Sequence, residues 1–406
     1  MRHINLSINS FMKKNTLLFV YILTLSTTYA QITIEKPIYR VGIFTSLYLD
    51  SAYKQGKYQF NESVPKFILK GLDFAVGARL AIDTIQSVDS NSYINYTIFD
   101  IQSKNSSIQK LQDNKVFDSL DLIIGNVSGL EFKQLANIAC PKNIPFVSVT
   151  YPNDAGISNC SSVILLNPTI QVHCEKMYNY LLENDAFANK IFISKDGVLE
   201  TRIKLSYDKL NKGSGTSTLL SWKEYNVMDS TENIDEEYLT TLLDSTKKNV
   251  IICGSLDEKF SIKLIKAAAG LNKYEITLYG MPSWETISET DNKSNQNLKI
   301  LYTTSFYNTR KQTEKKFEDR FIRKTNSRPS DYAYKAYEST LYFSRLLMRH
   351  GSNINSHLDD TEETIFTPYV IKPVYSQASA TVLFRENKNV HIIQHEKGVK
   401  TQVTQQ

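Results

Sequence analysis

From Tyr39 onward, short runs rich in β-branched residues alternate with longer stretches in which apolar residues return every three or four positions. The short runs predict strands at Arg40–Thr45, Tyr96–Ile101, Leu122–Gly125, Phe146–Val149, Val163–Leu166, Lys190–Ser194, Leu219–Tyr225, Val250–Gly254, Ile276–Tyr279 and Lys299–Thr303. The stretches between them predict helices at Pro65–Gln86, Ser107–Asp113, Gly129–Ala139, Thr169–Glu183, Glu200–Lys212, Glu236–Lys247, Asp257–Leu271, Thr313–Thr325 and Asp331–Arg349. Regular alternation of this kind predicts α/β architecture, with parallel sheets and right-handed crossovers. One helical stripe runs through Phe67, Gly71, Ala75, Ala78, Ile82 and Ile85. Its small middle predicts a helix lying close against a sheet. Beyond Glu363 the pattern changes to short strands around Pro368–Val374, Ala380–Phe384 and Val390–Ile393.

The start of the chain follows a different logic. Lys13 and Lys14 precede the apolar run Leu17–Leu25, and Thr28-Tyr29-Ala30 follows, with Gln31 next. A basic segment, a short apolar core and a small-residue end predict a cleavable secretory signal over residues 1–30 and export to the periplasm. The first cysteine is Cys140, so no lipid anchor is expected at the cut, and no later stretch is apolar enough to predict a transmembrane helix. Losing Arg2, Lys13 and Lys14 lowers the formal charge from +5 to +2, which gives no ground for a nucleic-acid partner. The remaining length suits two domains, because single cores stop growing near about 250–300 residues.

Candidate chemistry is sparse. Cys140, Cys160, Cys174 and Cys253 form no CxxC pair and no zinc spacing, and their disulfide pairing stays open. Gly213-Ser214-Gly215-Thr216 follows a helix and lacks the remainder of a dinucleotide or phosphate-binding loop. Gly125-Asn126-Val127-Ser128-Gly129 has the wrong spacing for a nucleophile elbow, and two SxxK matches, at Ser206 and Ser245, lack companion motifs. His391 and His395 fall on one strand face without an evident third ligand. No catalytic residue, metal or cofactor is therefore expected, and the chain reads as a binder, not an enzyme.

Several segments, in their order along the chain, resemble the type I periplasmic binding proteins, the branched-chain amino-acid-binding group in particular. Tyr39–Thr45 is similar to the family's opening strand, and Gly71 to Asp83 to its first helix. Asp121–Gly129 resembles the strand and turn that reach the ligand, and Asn143–Ser148 the stretch before the first hinge crossing. Arg328–Glu338 resembles the Pro-x-x-Tyr-Ala-x-x-x-Tyr-Asp helix, the sharpest match. The resemblance implies two Rossmann-like lobes with parallel central sheets joined by hinge crossovers. Expected boundaries are 31–149 plus 280–355 for the first lobe, 150–279 plus 356–395 for the second, and a tail over 396–406.

In open α/β sheets the carboxyl ends of strands line the ligand crevice. With the resemblance, this makes Tyr48, Asp50, Asn126, Ser128, Ser148, Thr150, Asp257, Trp284 and Glu285 the candidate ligand-binding residues. The chain departs from the family's amino-acid binders where an aromatic is expected after Lys195-Asp196, since Val198 and Leu199 stand there. The carboxylate expected near Pro282–Trp284 is also displaced, with Glu285 one step late. Burying an ammonium without a partner costs several kcal/mol. Either Asp50, Asp257 or Glu285 supplies the charge, or the ligand is not a free amino acid. The expected function is capture of a small polar ligand for a membrane permease or a sensor. The alternative is an envelope interaction protein that keeps the fold without a small-molecule ligand.

Overall fold

The computed structural model describes residues 38–61, 63–88, 93–212, 218–227, 234–292, 295, 297–307, 311–360, 363–376 and 379–403. The expected signal over residues 1–30 and the Gly213–Thr216 element lie outside them.

The chain from Tyr39 forms one compact unit containing two large sheets. Its strands are β1 (Tyr39–Thr45), β2 (Tyr53–Lys54), β3 (Lys57–Tyr58), β4 (Ile94–Asp100), β5 (Leu122–Asn126), β6 (Phe146–Ser148), β7 (Val163–Leu165), β8 (Asn189–Lys195), β9 (Lys223–Val227), β10 (Asn249–Cys253), β11 (Ile276–Tyr279), β12 (Lys299–Thr304), β13 (Ile371–Tyr375), β14 (Val382–Asn387), β15 (His391–Glu396) and β16 (Val399–Val403). The α-helices are α1 (Leu49–Ala52), α2 (Lys66–Val88), α3 (Ile108–Asp113), α4 (Gly129–Lys142), α5 (Ile170–Asn184), α6 (Val198–Lys212), α7 (Glu236–Thr240), α8 (Glu258–Gly270), α9 (Gln312–Thr325) and α10 (Asp331–His350).

The first sheet runs β13-β14-β7-β6-β5-β1-β4 and the second β16-β15-β12-β11-β10-β8-β9, each mostly parallel. Alternate residues of the first sheet enter two cores. Val41, Ile43, Leu122 and Ile124 meet α2 and α10 on one face, while Phe44, Ile123, Phe146 and Val163 meet α3 and α4 on the other. Burial on both faces is what turns these strands into near-continuous apolar runs. The second sheet has its own core, built on Ile191, Ile251, Leu278 and Leu301.

The chain changes sheets at 166–169, at 305–311 and at 388–390. The lobe boundaries expected from sequence are corrected accordingly. Val163–Leu165, Ile371–Tyr375 and Val382–Asn387 belong to the first sheet, whereas Lys299–Thr304 belongs to the second. Each exchanged strand is short, three to six residues, and its own residues do not name its sheet. Only its ladder partners decide, and these are distant in sequence. The expected tail is corrected too, since β16 pairs with β15 from Val399 to Val403.

The stripe on α2 is confirmed in its middle. A Cβ at Gly71 would run into the Ser46 carbonyl at the end of β1, and one at Gly77 into the Ala333 backbone of α10. Its first turns depart from expectation, for Phe67 is exposed and packs edge-on against Tyr48 at 5.0 Å. No helix among the described residues is long and apolar enough to cross a membrane.

Cys140 at the end of α4 and Cys160 before β7 form a disulfide with 5.3 Å between their Cα atoms, and Cys174 and Cys253 are buried thiols. The bridge closes a loop of 20 residues, for which chain entropy gives about 3 kcal/mol. Replacing Cys140 and Cys160 with serine is therefore expected to lower unfolding free energy by about that amount, read by chemical denaturation under non-reducing conditions. An unchanged midpoint would show that the bridge does not restrain the unfolded chain.

Candidate functional site

Topology places the site before any side chain does. β7 and β12 end where the chain leaves one lobe for the other, and β14, parallel to β7, ends at the third crossing. The carboxyl edges of both sheets therefore meet at the junction between the lobes, which is where an open α/β sheet holds its ligand.

On the first lobe, Asn126 at the tip of β5 donates from Nδ2 to Thr45 Oγ1 at 3.0 Å, and its Oδ1 accepts from Thr150 Oγ1 at 2.8 Å. This chain of hydrogen bonds joins the tips of β1, β5 and β6, with Thr45 fully buried and Asn126 and Thr150 part-buried. Ser128 is exposed at the start of α4 and makes no side-chain cap bond, and Leu130 beside it is exposed. Asp100, which the sequence reading did not single out, organises the neighbouring loop. Its buried carboxylate accepts the backbone N–H groups of Leu47 (2.8 Å), Tyr48 (3.2 Å), Leu49 (2.8 Å) and Gln102 (3.1 Å). Those amides point together as an anion site would require, and the protein's own carboxylate fills the place.

Two expected residues on this lobe serve other purposes. Ser148 is fully buried in β6 and cannot line a cleft; its strand is covered on both faces. Asp50 holds the loop after β4, accepting from Ser103 Oγ (3.1 Å) and Lys104 N (2.8 Å). Tyr48 takes a left-handed backbone (φ 54) as the chain leaves β1, and its ring rests on Phe67.

The second lobe contributes a cavity of about 310 Å³ at the tips of β8 and β9. Ser194, Lys195, Asp196, Glu200, Thr201, Glu224 and Asn226 line it, over Phe192 and Tyr225. Lys195 Nζ contacts Asp257 Oδ2 at 2.7 Å, and Asp257 also caps α8 by accepting from Phe260 N at 2.8 Å. The Lys195 hydrogen bond first, and that cap second, hold the Asp257 carboxyl below its ordinary value. Asp196 takes a 2.5 Å hydrogen bond from Asn226, and Glu200 accepts from Ser255 at 2.7 Å. Val198 and Leu199, where the resemblance led us to look for an aromatic, are exposed at the start of α6.

Trp284 corrects the sequence reading most plainly. Its side chain is 0% exposed, sits in the core of the second lobe and donates to Ser261 Oγ at 2.9 Å. An indole buries more apolar surface there than it could in a wet cleft. Glu285 next to it is exposed, but its carboxyl turns onto Thr304, whose Oγ1 donates at 2.7 Å. Loss of water around that end raises the carboxyl above its ordinary value, against the pull of the Thr304 hydrogen bond.

The crossings carry polar groups that no sequence motif singles out. Lys335 of α10 donates to Ser305 Oγ on the second crossing at 3.2 Å. Glu338, one turn on, is buried and accepts from the N–H groups of Phe366 (3.0 Å) and Thr367 (2.9 Å). Burial pushes its carboxyl up to about 7. His173 of α5 is buried against Thr303 Oγ1 at 2.9 Å, and burial drives its imidazole down to about 3. Tyr334 and Tyr337 pack with Phe317 at 4.8 and 4.6 Å, and Tyr334 with Phe306 of the same crossing at 5.4 Å. Both rings pack the base of the second crossing. Polar groups brought together from such distant parts of the chain, His173 from α5 and Lys335 and Glu338 from α10, leave no local pattern to read.

The fold has many solved counterparts. A branched chain amino acid ABC transporter periplasmic ligand-binding protein from Burkholderia xenovorans LB400 superposes with TM-score 0.61 at 14% identity, over 90% of this chain and 94% of that one. A putative branched-chain amino acid ABC transporter protein from Rhodospirillum rubrum gives TM-score 0.66 at 10% identity, over 90% and 99%. An ABC transporter substrate-binding protein from Desulfitobacterium hafniense, solved in complex with Leu, gives 0.56 at 14%, over 91% and 100%. At such identities these likenesses establish the fold, and no curated protein sequence matches the chain. The family described as periplasmic binding protein matches residues 69–361 of this sequence, well over half of it. With two parallel sheets meeting at their carboxyl edges and the chain crossing between them, the fold and that match agree: the chain belongs to the periplasmic binding protein family.

Proposed function

We propose that this protein is an extracytoplasmic solute-binding protein whose lobes close on a small polar ligand, which it presents to a membrane permease or a sensor; it acts by binding, not by catalysis. The observation that carries this reading is the convergence of both carboxyl edges on a junction the chain crosses three times. Hydrogen-bonding tips at Asn126 and Thr150 on one lobe, held by the buried Thr45, and the lined cavity on the other supply the polar contacts. The exposed Leu130, Val198 and Leu199 supply apolar surface that closure would cover. Membership of the family implies a location outside the cytoplasm, and the Cys140–Cys160 bridge fits an oxidising compartment.

The relative from Desulfitobacterium hafniense was solved with Leu. Here the carboxylates proposed to hold an ammonium are already engaged: Asp50 with Ser103 and Lys104, Asp257 with Lys195, Glu285 with Thr304. This supports a ligand whose main anchor is not an ammonium group. The same engagement favours, as a second reading, an interaction protein that keeps the fold without a small ligand.

One titration separates the two. Trp222 donates to Glu224 Oε1 at 3.3 Å on the rim of the second-lobe cavity, so its fluorescence reports ligand entry. A panel of amino acids, sugars, nucleosides and short peptides is expected to contain a ligand that adds about 2.7 kcal/mol of stability at a hundred times its dissociation constant. Asn126→Ala should weaken that ligand by up to about tenfold, the loss of a well-placed polar pair. A flat response in melting temperature and fluorescence across the panel would favour the interaction protein.

A further inference from the structure

From residue 31 onward the chain has a formal surplus of only two positive charges, yet the eighteen residues from Lys311 to Arg328 hold seven basic and three acidic side chains. The excess of the whole molecule is therefore gathered in α9 and the turn after it, and the remainder is slightly acidic. Burial sharpens the contrast. Lys311, Lys315, Lys316, Arg323, Lys324 and Arg328 are exposed, whereas Glu314 is buried, Glu318 is half-buried and Asp319 alone of the three acids is exposed. Among the described residues, one of these six cations reaches a carboxylate, Lys324 with Asp83 of α2 at 3.4 Å.

The way the helix is fastened decides which face it shows. Phe317 and Phe321 enter the buried cluster with Tyr334, Tyr337 and Phe366. Arg320 lies down on α2, donating to Thr84 Oγ1 at 2.7 Å and to the Leu80 carbonyl at 3.3 Å. With that side fixed, helical spacing turns Lys315, Lys316, Asp319 and Arg323 outward on one arc. The arc lies apart from the proposed cleft. Arg320 and Lys324 hold the second half of α2, from Leu80 to Thr84, whereas the carboxyl tip of β1 meets its first half, at Gly71.

The make-up of the face points to its partner. Every exposed residue from Lys311 to Arg328 is Lys, Arg, Asp, Gln, Asn, Ser or Thr. A protein partner draws its affinity from a desolvated centre of aromatic and apolar anchors, where lysine is depleted. Here four of the six exposed cations are lysine. A layer of anionic headgroups needs no such centre. Point charges on flexible stems suffice, each lysine or arginine near the surface contributing about fivefold in affinity.

We infer that the Lys315, Lys316 and Arg323 face of α9 docks the protein on an anionic phospholipid surface, a contact separate from ligand capture in the cleft. Flotation of the full protein with vesicles tests this. Binding is expected to vesicles of mixed phosphatidylglycerol and phosphatidylcholine, and not to phosphatidylcholine alone. It should fall as salt shortens the reach of the charges from about 10 Å at 0.1 M to about 3 Å at 1 M. The triple variant Lys315→Glu, Lys316→Glu and Arg323→Glu should weaken it at least about a hundredfold. A control makes the same change of net charge on the second lobe, Arg202→Glu, Lys209→Glu and Lys212→Glu, all exposed on α6. It should stay within about threefold of the wild type, because charges beyond the screening length contribute little. Lys315→Gln, Lys316→Gln and Arg323→Gln together repeat the test should reversal of charge disturb folding. Failure to bind the mixed vesicles overturns the proposal, as does equal binding to both kinds. So does an α9 triple variant that binds like the wild type, or a control that loses as much. Should poly-glutamate bind where vesicles do not, an acidic protein surface is the partner and the proposal falls.

Discussion

Trp284→Ala should lower the unfolding free energy by about 3–5 kcal/mol, the range for removing a buried large aromatic, and leave ligand affinity of the folded protein within about twofold. The indole is closed off from solvent in the second-lobe core, it donates to Ser261 Oγ, and Gly280 packs against its face so tightly that a Cβ there would meet the ring. Alanine leaves a void too apolar for water and strips Ser261 of its donor. Denaturant titration gives the first quantity and calorimetry the second. A stable variant that no longer binds would return Trp284 to the cleft wall, where the sequence reading had placed it.

The second large effect is electrostatic, and its sign follows from two buried groups near the crossings. Glu338 is raised from 4.5 to about 7, chiefly by burial, against the amides of Thr367 and Phe366 and the Tyr369 hydroxyl. Between pH 4.5 and 7 the folded protein holds a proton that the unfolded chain has lost, so stability falls as pH rises through this window. His173 is lowered from 6.5 to about 3 by burial and by the Lys335 charge. Between pH 3 and 6.5 the unfolded chain holds the extra proton, so stability falls as pH drops. Each slope is about 1.4 kcal/mol per pH unit, and from pH 4.5 to 6.5 they cancel.

The wild type should therefore show little pH dependence from this pair, and each single variant should expose the other's slope. Glu338→Gln keeps the neutral form and should gain on the order of 3 kcal/mol at pH 7.5 relative to the wild type, with no gain at pH 4. His173→Asn should tilt the other way, holding its stability in acid and declining from pH 4.5 to 7. Denaturation midpoints from pH 4 to 8 measure both. A loss of stability in Glu338→Gln at pH 7.5 would mean that the ionised carboxylate is the form the fold prefers.

Much of the architecture was legible because its signal is local. Ile276–Tyr279 is a strand with the bounds expected from its four apolar residues, and Asp331–His350 is the helix expected to within one residue. Expectation failed where the signal is weak or distant. The edge strand Val399–Val403 sits among Lys400, Gln402 and the polar end of the chain with only Val399 and Val403 to mark it, and the strands of the small hairpin at Tyr53–Tyr58 are two residues long. Lys223–Val227 lies later than the expected Leu219–Tyr225, for Leu220 is buried outside the ladder. The expected helix at Glu236–Lys247 ends at Thr240, where Asp244 and Asn249 bind loop backbone instead. The site was half legible. Strand-tip position made Asn126, Ser128 and Thr150 candidates, and they stand part-buried or exposed at the tips of β5 and β6, whereas Ser148 and Trp284, chosen on the same grounds, are fully buried. That depends on tertiary packing and on no property of the residues themselves.

The central claim is that the lobes move together around a captured solute. Leu130→Cys on the first lobe and Val198→Cys on the second place labels at exposed positions beside the tips of β5 and β8, and the native free thiols, Cys174 and Cys253, are buried. Spin-label distances between them, measured with and without a ligand that raises the melting temperature, test the claim directly. The account predicts a shift of the distance distribution to shorter values at saturation. Identical distributions with and without that ligand would contradict it.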